Sequence, residues 1–129
     1  MHEPVGLAFA PDDTLYIADT WNQRIQSFDS NLAPLNQWAV KAWLGTGITN
    51  KPYLTVDDKG NLYATDPSGN RILEYNPSGQ LLADWGQAGS DLKSMSNPTG
   101  IAFDIKGRLL VADSANNRIL VFDIQAAGG

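Results

Sequence analysis

The sequence predicts an all-β protein made of three consecutive antiparallel units built on a four-stranded plan, the third lacking its outer strand, and three observations lead there. Asp19, Asp66 and Asp113 stand 47 residues apart, and Arg24, Arg71 and Arg118 keep the same step. Within each unit apolar residues alternate with small or polar ones, as in Val5, Leu7, Phe9 and then Leu15, Ile17, the period-two pattern of a half-buried strand. Turn formers punctuate the whole chain, with 12 glycines and 7 prolines among 129 residues. A fixed period of roughly 20–50 residues marks a repeat architecture, because each unit must bury its faces on its neighbours.

The register runs without gaps. It aligns Leu15, Leu62 and Leu109, then Ile25, Ile72 and Ile119, then Phe28, Tyr75 and Phe122. A first strand (Gly6–Phe9, Leu54–Val56, Gly100–Phe103) ends in a short polar turn suited to a tight hairpin: Pro11-Asp12-Asp13, Asp58-Lys59-Gly60 or Ile105-Lys106-Gly107. The second strand is Leu15–Ala18, Leu62–Thr65 or Leu109–Ala112, and the third is Arg24–Phe28, Arg71–Tyr75 or Arg118–Phe122. A fourth, Leu35–Val40 or Gln80–Trp85, carries Trp38 and Trp85 at equivalent places, which reads as packing. Four antiparallel strands per repeat make a β-propeller blade. The expected layout is a single domain over 1–129 with blades at about 4–50, 51–97 and 98–124. The third blade is expected to lack its outer strand, since Phe122-Asp123-Ile124 runs into Gln125-Ala126-Ala127-Gly128-Gly129.

The segments Pro4-Val5-Gly6-Leu7-Ala8-Phe9 and Pro98-Thr99-Gly100-Ile101-Ala102-Phe103, followed by Leu15-Tyr16-Ile17-Ala18-Asp19 and Leu109-Leu110-Val111-Ala112-Asp113, resemble NHL repeats. The resemblance covers nearly the whole chain. Asn22 and Asn116 match the Asn of the family's Asn-His pair and Gly69 does not, while Gln23, Asn70 and Asn117 stand where His is common. Arg24, Arg71 and Arg118 fit the usual next residue. The resemblance implies a propeller that closes at about six blades, so three blades form half a ring. An excised segment of a larger protein and a homodimer pairing three blades with three, head to tail, are both consistent with that count.

Composition narrows the function classes. Nine Lys+Arg against 14 Asp+Glu give a formal charge of −5, which repels phosphate backbones and offers no basic patch for nucleic acid. The chain has no cysteine, which excludes disulfides and thiolate metal sites and leaves the compartment open. Met1-His2-Glu3-Pro4 lacks the basic start of a signal peptide, and no stretch reaches the roughly 20 apolar residues of a membrane span.

The recurring Asp19/Arg24, Asp66/Arg71 and Asp113/Arg118 pairs read as structural ties, because a site for one ligand rarely needs every unit identical. Asp12-Asp13, Asp57-Asp58 and Asp104 invite a calcium reading but lack the dense alternating oxygens of a Ca²⁺ loop, so no metal is expected. His2, the only histidine, lies outside the repeats and reads as a frayed terminus or tag remnant.

Aromatic residues carry the remaining interest. Trp21 occupies a polar turn where the other repeats have Ser68 and Ala115. Chain reversal at each hairpin puts it on the same face as Trp43 and Tyr53, and the three form a candidate surface for a protein or glycan. Packing of Trp21 over the adjacent connection is the competing reading. Ser27, Ser68, Ser94, Ser96 and Ser114 have no histidine in the repeats to activate them, and the innermost strands are apolar. The expectation is therefore a non-catalytic binding scaffold without a cofactor. As the resemblance implies, such modules serve in larger chains that include membrane-linked bacterial enzymes and sensor kinases. The alternatives are a fragment of a propeller hydrolase or lyase, or a purely structural repeat.

Overall fold

The computed structural model describes residues 4–43, 51–87, 89 and 94–123; His2, the connection 44–50 and the terminal 124–129 lie outside the described residues. Three antiparallel sheets follow the repeat. The first holds β1 (Pro4–Phe9), β2 (Leu15–Asp19), β3 (Arg24–Phe28) and β4 (Pro34–Ala39) in chain order. The second repeats it with β5 (Leu54–Val56), β6 (Leu62–Asp66), β7 (Arg71–Tyr75) and β8 (Leu81–Trp85). The third has β9 (Pro98–Phe103), β10 (Leu109–Asp113) and β11 (Arg118–Phe122), and no fourth strand among the described residues. The innermost strands β1, β5 and β9 lie side by side, so the sheets stack as the blades of a partial propeller.

Hairpin chemistry fixes the register. Asp57 Oδ1 accepts the N–H groups of Lys59 and Asn61, and Asp104 Oδ1 those of Lys106 and Arg108. These are Asx turns, so the carboxylates suspected as calcium ligands are occupied with their own backbone. Asp29 and Asn76 do the same for the β3–β4 and β7–β8 hairpins. Left-handed φ also recurs at the repeat step: Asp13, Gly60 and Gly107; Gln23, Asn70 and Asn117; Leu32 and Gly79. The position where NHL repeats favour His is thus one whose backbone must turn left-handed, which Asn tolerates well.

Two cores lie between the blades. Every residue of β6 is buried, and alternation splits it between them. Leu62 and Ala64 pack with Tyr16, Ala18, Ile25 and Leu73 on the first-blade side. Tyr63 packs with Ile72, Met95, Leu109 and Val111 on the third-blade side. Trp38 and Trp85 serve as packing, as expected. Trp38 lies edge-on to Tyr16 at 6.2 Å and tilted against Tyr75 at 5.7 Å, and Trp85 meets Tyr63 edge-on at 6.0 Å. Gly6 permits the close approach of β1 to β5, because a Cβ there would sit 2.9 Å from the Tyr53 Cα. The two end faces have no neighbouring blade among the described residues. They leave Leu7 and Phe9 exposed on one side and Ile119 and Val121 on the other.

Candidate functional site

The loop between the second and third strand of each blade is held by one repeated charge cluster. Asp19, Asp66 and Asp113 end β2, β6 and β10 with carboxylates almost wholly buried, and each accepts from the Nε of its arginine at 2.7, 2.8 and 2.7 Å. Asp113 also accepts the Ser96 N–H from the incoming connection at 2.6 Å, and Arg118 donates to the Ser94 carbonyl at 3.0 Å. The arginines of the first two blades reach outward to Gln37 and Asp84 on the outer strands. Each cluster therefore ties the loop to the rest of the blade, the structural role expected from its repetition.

The missing Asn of the middle repeat has a local explanation. Asn22 and Asn116 donate their amides to Asp19 and Asp113 at 3.0 and 2.9 Å. At Gly69 the backbone N–H donates to Asp66 at 3.2 Å instead, and a Cβ at that position would overlap the carboxylate. Burial works to raise the Asp113 carboxyl, but the Ser96 N–H, the Asn116 amide and Arg118 together hold it below the usual carboxylate range.

This loop face carries the expected aromatics, though not all of them at its surface. Thr20–Asn22 forms a 3₁₀ turn closed by the left-handed Gln23, and Trp21 on it is half exposed. The Val40 N–H donates to the Gln23 carbonyl, which confirms that this turn meets the connection leaving the blade. Tyr53, beside the start of β5, is 41% exposed. Trp43 is corrected: its side chain is wholly buried in the first inter-blade core, and its Nε1 donates to the Thr65 carbonyl at 3.3 Å. A 3₁₀ turn over Lys41–Trp43 turns the indole inward, so it cannot contact a ligand. On the third blade Thr99 Oγ1 and Ser114 Oγ share a hydrogen bond, adding a pair of exposed hydroxyls to the rim.

The opposite, hairpin face holds two equivalent clefts between blades. One, of about 470 Å³, is lined by Ala10, Tyr16 and Ser27 among others. The other, of about 280 Å³, has Asp57, Tyr63 and Glu74 at the same repeat positions, with Lys59, Asp104 and Lys106 around them. Tyr63 donates to Asp57 at 3.3 Å. Burial first, and then Glu74 and Asp57, push its phenol up. Sequence reading passed over this trio, and the signal was the departure from the repeat: Ala10 and Ser27 become carboxylates. Among the described residues no three His, Cys, Asp or Glu side chains gather as metal ligands, and no helix is long and apolar enough to cross a membrane.

Comparison with known proteins sharpens this picture. Residues 1–90 match the SMP-30/gluconolactonase/LRE-like region, and residues 95–122 match the NHL repeat, both propeller families. No curated protein matches the sequence. Among solved structures, virginiamycin B lyase from Staphylococcus aureus superposes with a TM-score of 0.66 at 17% identity, over 90% of this chain and 36% of that one. A luciferin-regenerating enzyme gives 0.59 at 24% identity, over 84% of this chain and 36% of that one. A gluconolactonase from Xanthomonas campestris gives 0.60 at 25% identity, over 86% of this chain and 35% of that one. The chain thus spans a little over a third of the length of the structures it resembles. The expectation of a non-enzyme is overturned, because the matched family takes its name from gluconolactonase and these neighbours are enzymes. A reacting centre on a propeller axis can draw its groups from blades beyond three, so the apolar innermost strands of these three do not exclude one. On the match across residues 1–90, the chain belongs to the SMP-30/gluconolactonase/LRE-like family of β-propellers.

Proposed function

We propose that this chain is a three-blade portion of a propeller hydrolase or lyase acting on a cyclic ester, supplying the frame and one arc of the loop-face rim. The family match over residues 1–90 carries the reading. The rim fits it chemically. Trp21 offers a flat apolar surface for a substrate ring, and the Thr99 and Ser114 hydroxyls offer hydrogen bonds to its oxygens. The buried Asp–Arg clusters hold these loops at fixed positions, as a site built on rigid supports requires. Among the described residues no serine of this arc is paired with a base, and the reading takes the reacting groups from outside it.

The test offers a panel of sugar and aliphatic lactones to the complete propeller that contains this arc and follows proton release at constant pH. Ring opening above the spontaneous rate is expected, with Trp21→Ala raising KM several-fold and leaving the fold intact. Spontaneous rates across the panel would refute the proposal.

A further inference from the structure

The two clefts of the hairpin face treat the same buried tyrosine differently. In the second, Tyr63 donates to Asp57 at 3.3 Å, so the protein supplies the acceptor itself. In the first, the repeat puts Ala10 where Asp57 stands and Ser27 where Glu74 stands. Tyr16 lines that cleft with no hydrogen-bond partner among the described residues, although it is only 2% exposed. A buried phenol normally finds a partner, because leaving one out is costly. The side-chain atoms sealed from solvent without a partner belong to Gln26, Trp38 and Asn97, so the Tyr16 hydroxyl opens on the cleft. Burial first and then Asp12 push the phenol up, which keeps it a donor.

The first cleft is also the roomier, about 470 Å³ against about 280 Å³, and falls in the size range of small-molecule sites. It lies between two complete blades, with Ala10, Tyr16 and Ser27 on one and Lys59 and Pro77 on the other. Pro11, Leu35 and Pro77 give it apolar walls, and its charged groups are Asp12, Asp58 and Lys59. These features narrow the ligand. Tyr16 needs an acceptor, which an ammonium or guanidinium group does not offer. The two carboxylates repel an anion. An uncharged hydroxyl meets both demands, since it accepts from the phenol and donates to a carboxylate.

We propose that the first inter-blade cleft binds a small uncharged polyol or monosaccharide, with one hydroxyl accepting from Tyr16, another donating to Asp12, and the carbon skeleton against Pro11, Leu35 and Pro77. The cleft lies on the face opposite Trp21, and the proposal does not depend on the lactone reading.

Saturation-transfer NMR titrations of D-glucose and xylitol against the complete propeller that contains this arc test it, with glucuronate and glucosamine as charged controls. Saturable binding of the uncharged compounds is expected. Tyr16→Phe should weaken it about fivefold, the worth of one neutral hydrogen bond, without lowering the melting temperature, because the hydroxyl has no partner in the fold to lose. Ala10→Asp rebuilds the arrangement of the second cleft and should abolish binding. An aspartate suits that backbone: Ala10 and Asp57 make the same hairpin bonds, their N–H groups donating to the Thr14 and Asn61 carbonyls and their carbonyls accepting from Asp13 and Gly60. Tyr63→Phe loses a hydrogen bond of the fold instead, so it should lower the melting temperature and leave binding unchanged. No saturable binding, tighter binding of either charged sugar, or binding unmoved by Tyr16→Phe and Ala10→Asp would overturn the proposal. Binding lost in Trp21→Ala but kept in Tyr16→Phe would overturn it too, by placing the sugar on the loop-face rim.

Discussion

Truncating one leucine in each repeat reads the packing of each blade separately. Leu15, Leu62 and Leu109 occupy the same place at the start of the second strand, yet only Leu62 and Leu109 are wholly buried within a single chain. Leu62→Ala removes three carbons from the first inter-blade core, beside Ala64 and Leu73, where β6 is packed on both faces and can relax little. The loss is about 3 kcal/mol, inside the roughly 2–5 kcal/mol range for such truncations. Leu109→Ala costs a similar amount in the second core. Leu15→Ala faces the end of the arc and costs about 1 kcal/mol in a monomer. Urea unfolding measures all three. Equal losses for Leu15 and Leu62 would refute the assignment of blade faces, and a small loss at Leu62 would refute the stacking itself.

Leu32 lies in the β3–β4 hairpin with φ 64°, and the equivalent residue of the second blade is Gly79. Leu32→Gly should stabilise the protein by about 1 kcal/mol by removing left-handed strain from an exposed side chain, seen as a raised melting temperature. The carboxyl of Asp113 is held below its usual range in the fold, so the stability it contributes is fully present above the unfolded value of about 4 and is lost as pH falls below it. Melting curves from pH 7 to 3 should show Asp113→Asn less stable at pH 7 by about 2 kcal/mol, with the gap closing below about pH 4. That figure lies under the 3–5 kcal/mol of a fully buried pair because Arg118 reaches solvent. A gap independent of pH would remove the ionic role.

Strand positions were legible because the repeat samples the same pattern three times: β3, β7 and β11 begin and end where the aligned Arg and aromatic residues place them. The structural reading of the Asp–Arg pairs held for the same reason. Trp43 was misread because it lies in a connection, where no periodicity tells inward from outward and a 3₁₀ turn decides the matter. The 3₁₀ turns at Trp21 and Ala115 escaped notice because only the left-handed residues Gln23 and Asn117 mark them. The Asp57–Tyr63–Glu74 cleft was hidden by the habit of reading recurrence, since its chemistry lies where the repeats differ. Kinship with a family named for gluconolactonase stood only as an alternative for a larger reason. Fold is written in the blade pattern, while a reaction is written in a few axial groups that three blades need not contain.

The central claim is that successive 47-residue repeats stack face to face as neighbouring blades. In the first two blades the Asn36 amide meets the Ser78 carbonyl at 3.3 Å, although 42 residues separate them in the chain. Because the sequence has no cysteine, Asn36→Cys with Ser78→Cys introduces the only thiols, and a short bifunctional reagent can report their proximity. Rapid intramolecular crosslinking of that pair is predicted, well ahead of a control pair of Asn36→Cys with Lys106→Cys on the third blade. Crosslinking of the control at the same rate, or none in the first pair, would contradict the blade order on which everything above depends.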